Sequence, residues 1–319
     1  MNRPPTAAPS PATAAPSPWA VLLVSLLGIS CAAPLVRLSE APAIVVAAWR
    51  LGFSLVVIAG ILTVRREWGA LRGVARRDWW LMVSAGVLLA GHFWSWNVSL
   101  RYTTVAASVS LVNLQPVVIA FVSGRWLGER ASGRQWLGIG VAVLGALLVG
   151  VADAPGGISG LGAALMGGSV GEAGRMRALL GDLLACVGAI TGALYYLIGR
   201  RVRPQLSLWP YVAVVYGAAW VTCMFVAVGT GQPLGPQPPR ELALFAGLAL
   251  GPMLLGHTGM NWALGHLPAY VVNLTTLGEP IGATALAALL PGIAEVPGPA
   301  TIAGGALVLG GVILAARRG

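Results

Sequence analysis

Apolar residues gather in ten stretches, 19–36, 42–64, 79–100, 104–124, 135–152, 183–199, 207–229, 242–264, 269–290 and 299–316, parted by short polar connections. Most approach the ~20 residues that a helix needs to cross a hydrocarbon layer. In lipid the backbone must satisfy its own hydrogen bonds, so the pattern predicts an all-α membrane protein with ten transmembrane helices. Trp19, Trp68, Trp79, Trp80, Trp126, Trp136 and Trp209 fall at or near the ends of these stretches, where an amphipathic ring is favoured.

The pattern also repeats. Gly91-His92 returns as Gly256-His257, Asn97-x-x-Leu100 as Asn261-x-x-Leu264, and Pro116 as Pro280. Gly140-Val-Ala-Val-Leu-Gly145 returns as Gly305-Ala-Leu-Val-Leu-Gly310, with the offset staying at 164 or 165 residues throughout. Duplication of this kind sets the architecture. It divides the chain into a first repeat, 19–152, and a second, 179–316, joined by a Gly-rich external connection over 153–178. Residues 1–18, rich in Pro, Ala, Ser and Thr, read as a disordered cytoplasmic tail rather than a signal peptide, and 317–319 as a basic cytoplasmic end.

Five helices in each half oblige the two halves to enter the membrane with opposite orientation. The arginines agree. Arg65, Arg66, Arg72, Arg76 and Arg77 lie between the second and third stretches, against Arg240 alone at the equivalent place in the second half. Arg125, Arg130 and Arg134 follow the fourth stretch, and no basic residue follows the ninth. Arg37 stands alone after the first, whereas Arg200, Arg201 and Arg203 follow the sixth. With both termini inside, 14 arginines face the cytoplasm, five face outward and Arg50 lies within a span, as the positive-inside tendency requires. The expectation is two inverted five-helix repeats around a central cavity on a pseudo-two-fold axis in the membrane plane, the usual frame of an alternating-access carrier.

Composition supports this and excludes rivals. The chain is 57% hydrophobic and 9% charged, against roughly 25% charged in soluble domains. Its 20 basic residues are all Arg, which reads as a GC-rich bacterial genome and hence a multi-pass protein of the bacterial inner membrane. The net charge of +10 comes from short clusters between apolar runs, a footprint of topology and not of nucleic-acid binding. Cys31, Cys186 and Cys223 are isolated, and three His spread over two helices and a loop make a poor metal site. The rival class is a membrane enzyme, but no H-E-x-x-H, paired metal acids or G-x-S-x-G occurs. Neither catalytic residues nor a cofactor are expected. The partners expected are a small-molecule substrate and the bilayer, with the chain acting as a monomer.

The two repeats, the Arg-rich connections, the two prolines, Leu-Gly-Glu-Arg at 127–130 and Glu279-Pro280 resemble the EamA branch of the drug/metabolite transporters. The resemblance implies a ten-helix basket and export of amino acids, metabolites or drugs. His92 and the Trp-rich third stretch look most similar to the branch's aromatic-amino-acid exporters. In place of the family's common Trp-Ala in the sixth helix, this chain has Thr191-Gly192-Ala193.

Candidate site residues follow from helical spacing. His92, Trp96 and Ser99 share one face of the third helix, and Trp94 points elsewhere. His257 and Asn261 repeat that face in the eighth, with Trp262 one step round at its edge, while Tyr195, Tyr196, Tyr216 and Tyr270 add aromatic surface for an aromatic or cationic substrate. Intramembrane charge is costly and marks function or a structural pairing. Glu279 is therefore a proton-coupling residue or a structural partner of the backbone freed by Pro280. Arg50 is either scaffold or the holder of a substrate carboxylate. Pro116 and Pro280, flanked by Asn113, Gln115, Asn273 and Thr276, are candidate hinges. The substrate expected is a neutral or aromatic amino acid or a related compound. The alternative is an organic-cation drug or another metabolite moved with proton coupling.

Overall fold

Helices form on the apolar stretches, and they break where a proline interrupts the ladder. The structure, a computed structural model, describes residues 16–103, 105–152, 172–290 and 298–316. Within these, all regular structure is helical. The first half comprises α1 Pro18–Ser30, α2 Ala32–Leu38, α3 Ala43–Arg65, α4 Arg76–Ser99, α5 Val105–Val112, α6 Gln115–Trp126 and α7 Gly133–Ala152. The second comprises α8 Glu172–Val202, α9 Leu208–Gly229, α10 Pro239–Leu248, α11 Thr258–Ala263, α12 Ala269–Leu274, α13 Glu279–Leu289 and α14 Pro299–Ala316. By length and apolarity, five stretches among the described residues are able to cross a membrane: Pro18–Leu38, Ala43–Arg65, Leu179–Val202, Leu208–Gly229 and Pro239–Ala263.

Some boundaries differ from the apolar pattern. α8 begins at Glu172, seven residues before the expected start of the second repeat at 179. Its first turns, Glu-Ala-Gly-Arg-Met-Arg-Ala-Leu-Leu, are mostly good helix formers that hydropathy passes over. The Arg-rich connection after α3 is not plain loop: Arg66 turns left-handed at φ 55°, and Glu67–Gly73 winds into a 3₁₀ helix. The expected tail to residue 15, most of the 153–178 connection and the end at 317–319 lie outside the described residues.

Four apolar stretches are interrupted, each beside a proline. A proline removes one backbone N–H and clashes with the carbonyl four residues earlier, so the preceding turn yields. Pro34 follows the break at Cys31 between α1 and α2, and Pro116 follows the turn at Asn113–Leu114 between α5 and α6. Pro252 lies in a π-helical stretch, Ala249–His257, that joins α10 to α11. Pro280 follows the 3₁₀ turn Thr275–Gly278 between α12 and α13.

The halves interlock instead of folding side by side. α4 packs on α8, and α1 packs on the π stretch and α11, which is the same contact made by equivalent helices of opposite halves. The equivalent helices α7 and α14 lie directly against one another. Along that seam Gly138 approaches Gly311 and Ala315, while Gly145 approaches Gly304 and Val308, so the pair runs antiparallel. A Cβ on Gly311 would stand 2.4 Å from the backbone nitrogen of Ala142 and 2.6 Å from the carbonyl of Gly138. Backbones approach this closely because there is no side chain between them, the usual device for helix association in lipid. Large apolar side chains such as Val56, Val64, Phe121 and Phe225 point outward.

Gly311→Ala therefore lowers the melting temperature of the detergent-solubilised protein, by the ~1–3 kcal/mol typical of an overpacked contact. Gly140→Ala, whose Cβ would meet nothing within 4 Å, leaves the melting temperature unchanged. A thermal-shift comparison of the two checks it, and equal melting temperatures would remove the seam from the account.

Candidate functional site

All four interruptions reach one small cavity. It is lined by Ile29 and Ala32 beside the α1–α2 break, Val112 and Gln115 beside the α5–α6 break, His257 at the end of the π stretch, and Thr276 and Glu279 at the 3₁₀ turn. Unbroken helices complete the wall with Arg50 from α3, His92 and Trp96 from α4, and Tyr196 from α8. Irregular backbone at this depth is tolerated where it is buried in protein or lines a cavity. The volume, about 30 Å³, gives room for about two waters.

The two histidines at equivalent positions of the repeat face one another across this space. The rings of His92 and His257 lie 6.1 Å apart at 73°. Equivalent residues of the two repeats thus meet at this cavity. The Nδ1–H of His92 donates to the carbonyl of Gly188 at 2.8 Å, because a carbonyl can only accept. That leaves Nε2 as the acceptor nitrogen of the neutral ring. Gly192, one turn on, makes room for this arrangement: a Cβ there would stand 2.8 Å from His92 Nδ1 and 2.9 Å from Gln115 Oε1. The small residues of α8 thus shape the cavity wall. His257 stacks on Tyr196, with centroids 6.1 Å apart at 13°, and its Nδ1 is hydrogen-bonded to the Tyr196 hydroxyl at 3.1 Å.

Two charged side chains stand on the wall. Arg50 is fully buried, its guanidinium carbon lies 4.1 Å from the centre of the Phe93 ring, and among the described residues none of its three nitrogens has a hydrogen-bond partner. Glu279 is 8% exposed, and its Oε2 accepts from Asn113 Nδ2 at 3.3 Å. No ion pair joins the two. Gln115 Oε1 and Trp96 Nε1 are also buried without partners.

The other sequence candidates lie off the cavity wall. The Ser99 hydroxyl is hydrogen-bonded to that of Ser108 and ties α4 to α5. Tyr195 and Asn261 bond to each other, and Asn261 Nδ2 also donates to the His257 carbonyl at 2.7 Å, one helical turn back. Trp262 stacks on His266 with centroids 4.1 Å apart. The Tyr270 hydroxyl accepts from Gln135 Nε2 at 3.0 Å and links the start of α12 to α7. Trp94 faces outward, 43% exposed. Pro116 and Pro280 each occupy the first turn of a new helix, α6 and α13, where a missing N–H costs nothing. Sequence spacing passed over Ile29, Ala32 and Val112, because an apolar cavity wall reads like any packed surface. It also left Pro34 and Pro252 unused, though proline within an apolar stretch was signal enough.

Polar ties close the molecule on either side of the cavity. At one end Arg37 donates to the carbonyl of Leu100, and Glu241 accepts from Ser39 Oγ and from the backbone N–H of Glu40 at 3.0 Å. At the other end Arg200 donates to the carbonyl of Leu264 at 2.7 Å and to Glu129 at 2.6 Å, and Glu129 also accepts from the Ala269 N–H at 3.2 Å. Leu100 and Leu264 are the repeated leucines, so one contact recurs at opposite ends of the molecule.

The sequence pattern of the EamA-like transporter family matches residues 17–151 and, a second time, residues 179–317. An uncharacterized transporter of Bacillus subtilis (strain 168), YyaM, is 26% identical over 234 residues, covering 72% of this chain and 70% of that protein. A solved crystal structure superposes over 94% of this chain and 96% of its own with a TM-score of 0.71 at 18% identity, a likeness of fold. With both halves matched and the two-repeat helical architecture in place, the chain belongs to the EamA-like transporter family.

Proposed function

We propose that this transporter exports neutral or aromatic amino acids and related small metabolites by alternating access. It does so as ten transmembrane helices in two inverted repeats, with both termini on the cytoplasmic side of a bacterial inner membrane. One observation carries the reading. Equivalent residues of the two halves meet at a central cavity, and related polar ties stand at both ends of it. A site on the axis is reachable from either face when the halves exchange conformations. The antiparallel α7–α14 seam supports inversion, because equivalent helices run in opposite directions. The aromatic and polar wall, Trp96, Tyr196, His92, His257, Gln115 and Thr276, suits an uncharged or zwitterionic organic solute. The outward direction of transport follows from the resemblance to the aromatic-amino-acid exporters. Glu279 on an aromatic wall favours a second reading, the export of organic cations with proton coupling.

In liposomes the purified protein carries out saturable counterflow of amino acids without altering them, and His92→Ala and Trp96→Ala each reduce the rate at least tenfold. A panel of amino acids, quaternary amines and sugars checks this. Counterflow confined to quaternary amines would favour the second reading, and a chemically changed product would overturn both.

The two ties close opposite faces. With Thr276→Cys as a reporter in the cavity wall and the native cysteines replaced, Glu241→Ala raises modification by a small impermeant thiosulfonate from outside intact cells. Glu129→Ala lowers it, because the cytoplasmic face then opens more often. A change in the same direction for both variants would contradict alternating access.

A further inference from the structure

We infer that Arg50 and Glu279 form a two-point clamp for the main-chain charges of an α-amino acid, Arg50 taking the carboxylate and Glu279 the ammonium group. The inference rests on the amino-acid reading above and adds which atoms of the cargo the protein holds and with what.

Arg50 is the first half of the argument. A guanidinium carries five N–H donors and stays protonated at any relevant pH. Here it is wholly buried, and all three nitrogens lack an acceptor. The Phe93 face beneath it attracts a cation but accepts no in-plane hydrogen bond. A buried charge of this kind is ordinarily paired, because leaving it alone in a poorly polarisable surrounding is expensive. An unfilled planar fork on a cavity wall matches the geometry of a carboxylate, which it can hold through two parallel bonds.

Glu279 supplies the second half. It stands on the same cavity, and Asn113 engages only its Oε2. If Arg50 and Glu279 served only to neutralise one another, a direct ion pair would be the most stable arrangement. None forms, and opposite charges remain on one small cavity without touching. A solute with its own positive and negative ends side by side satisfies both at once. A singly charged solute leaves one of them uncompensated.

The clamp also breaks the symmetry of its frame. The residue 165 positions after Arg50 is Val215, and the residue 164 before Glu279 is Gln115. The axis would otherwise offer two equal poses. Placing one cation and one carboxylate on different halves leaves a single orientation for the main chain, and directs the side chain toward Trp96, Tyr196 and His257.

The test uses the full-length protein in liposomes and competition against counterflow. L-Phenylalanine is compared with phenethylamine, which keeps only the ammonium group, and with hydrocinnamate, which keeps only the carboxylate. L-Leucine, isoamylamine and isocaproate form a parallel aliphatic set. The amino acid competes at concentrations at least about tenfold below either analogue, the scale of one lost charged hydrogen bond. Arg50→Gln abolishes the preference over the amine and keeps the preference over the acid, and Glu279→Gln does the reverse. Wild-type protein that accepts the one-charge analogues as well as the amino acids overturns the clamp, a comparison that needs no variant to fold. Variants that transport and retain both preferences overturn it too. Transport of amino acids without a zwitterion preference would sink the clamp and leave the amino-acid reading standing. Transport of other panel solutes with no amino acid accepted would sink that reading itself.

Discussion

A backbone inside a bilayer must bond to itself, and this chain relaxes that requirement at one level of the molecule. Pro34, Pro116, Pro252 and Pro280 lie in or beside the four helix interruptions, and residues adjoining all four interruptions line the cavity. The association has a physical cause. A turn that has lost its ladder frees carbonyls and amides that need polar company, and a cavity that admits water or a polar solute supplies it. The same turns bring Gln115, Thr276 and Glu279 to the wall. The prolines thus set the depth of the site as well as the shape of the helices.

The sequence repeat governs the frame, and departures from it govern the chemistry. His92 and His257 face each other, and Leu100 and Leu264 receive the same arginine contact at opposite ends. Each shared residue also sits in different company. His92 is held by the Gly188 carbonyl, His257 by the Tyr196 hydroxyl. At one end Arg200 is paired with Glu129, while at the other Arg37 meets a carbonyl and Glu241 is held by a serine and a backbone amide. On the proposed alternating-access reading, unlike ties would let one face open more readily than the other.

Much of this was legible in the sequence, and the limits were physical. The repeat placed His92 and His257 in one class, and apolar stretches located the helices. Helical spacing put His92 and Trp96 on a shared face and turned Trp94 away. Spacing could not tell a wall residue from one a layer behind it. Asn261 shares a face with His257 yet bonds to Tyr195 and to the His257 carbonyl and does not line the cavity, and Ser99 lies one turn beyond Trp96 in a contact between α4 and α5. Nor could it choose between Tyr195 and Tyr196, both of which offer aromatic surface: neighbours on a helix differ by 100°, and the partner helix decides which one faces inward. Arg50 was left open between scaffold and site because burial without a partner is a property of the folded surroundings.

The small volume of the cavity bears on how the parts divide the work. About 30 Å³ holds water and not an amino acid, so the cargo proposed above would require the wall to move. Among the described residues the lining comes from α1 to α6, α8, the π stretch and the segment around α13, and none of it from α7, α9 or α14. The α7–α14 seam brings backbone against backbone at Gly138, Gly145 and Gly311, with no room for a methyl group between them. Two helices so tightly engaged resist sliding, because any displacement brings Cβ atoms into the gap that the glycines leave. The broken helices carry the opposite property, with interrupted ladders and proline-led second segments that tolerate a change of bend. On the proposed alternating-access reading, motion would be directed away from the seam and into the helices that bear Gln115, His257 and Glu279. The groups that would hold a solute and the segments that would have to yield to admit it are thus the same parts of the chain.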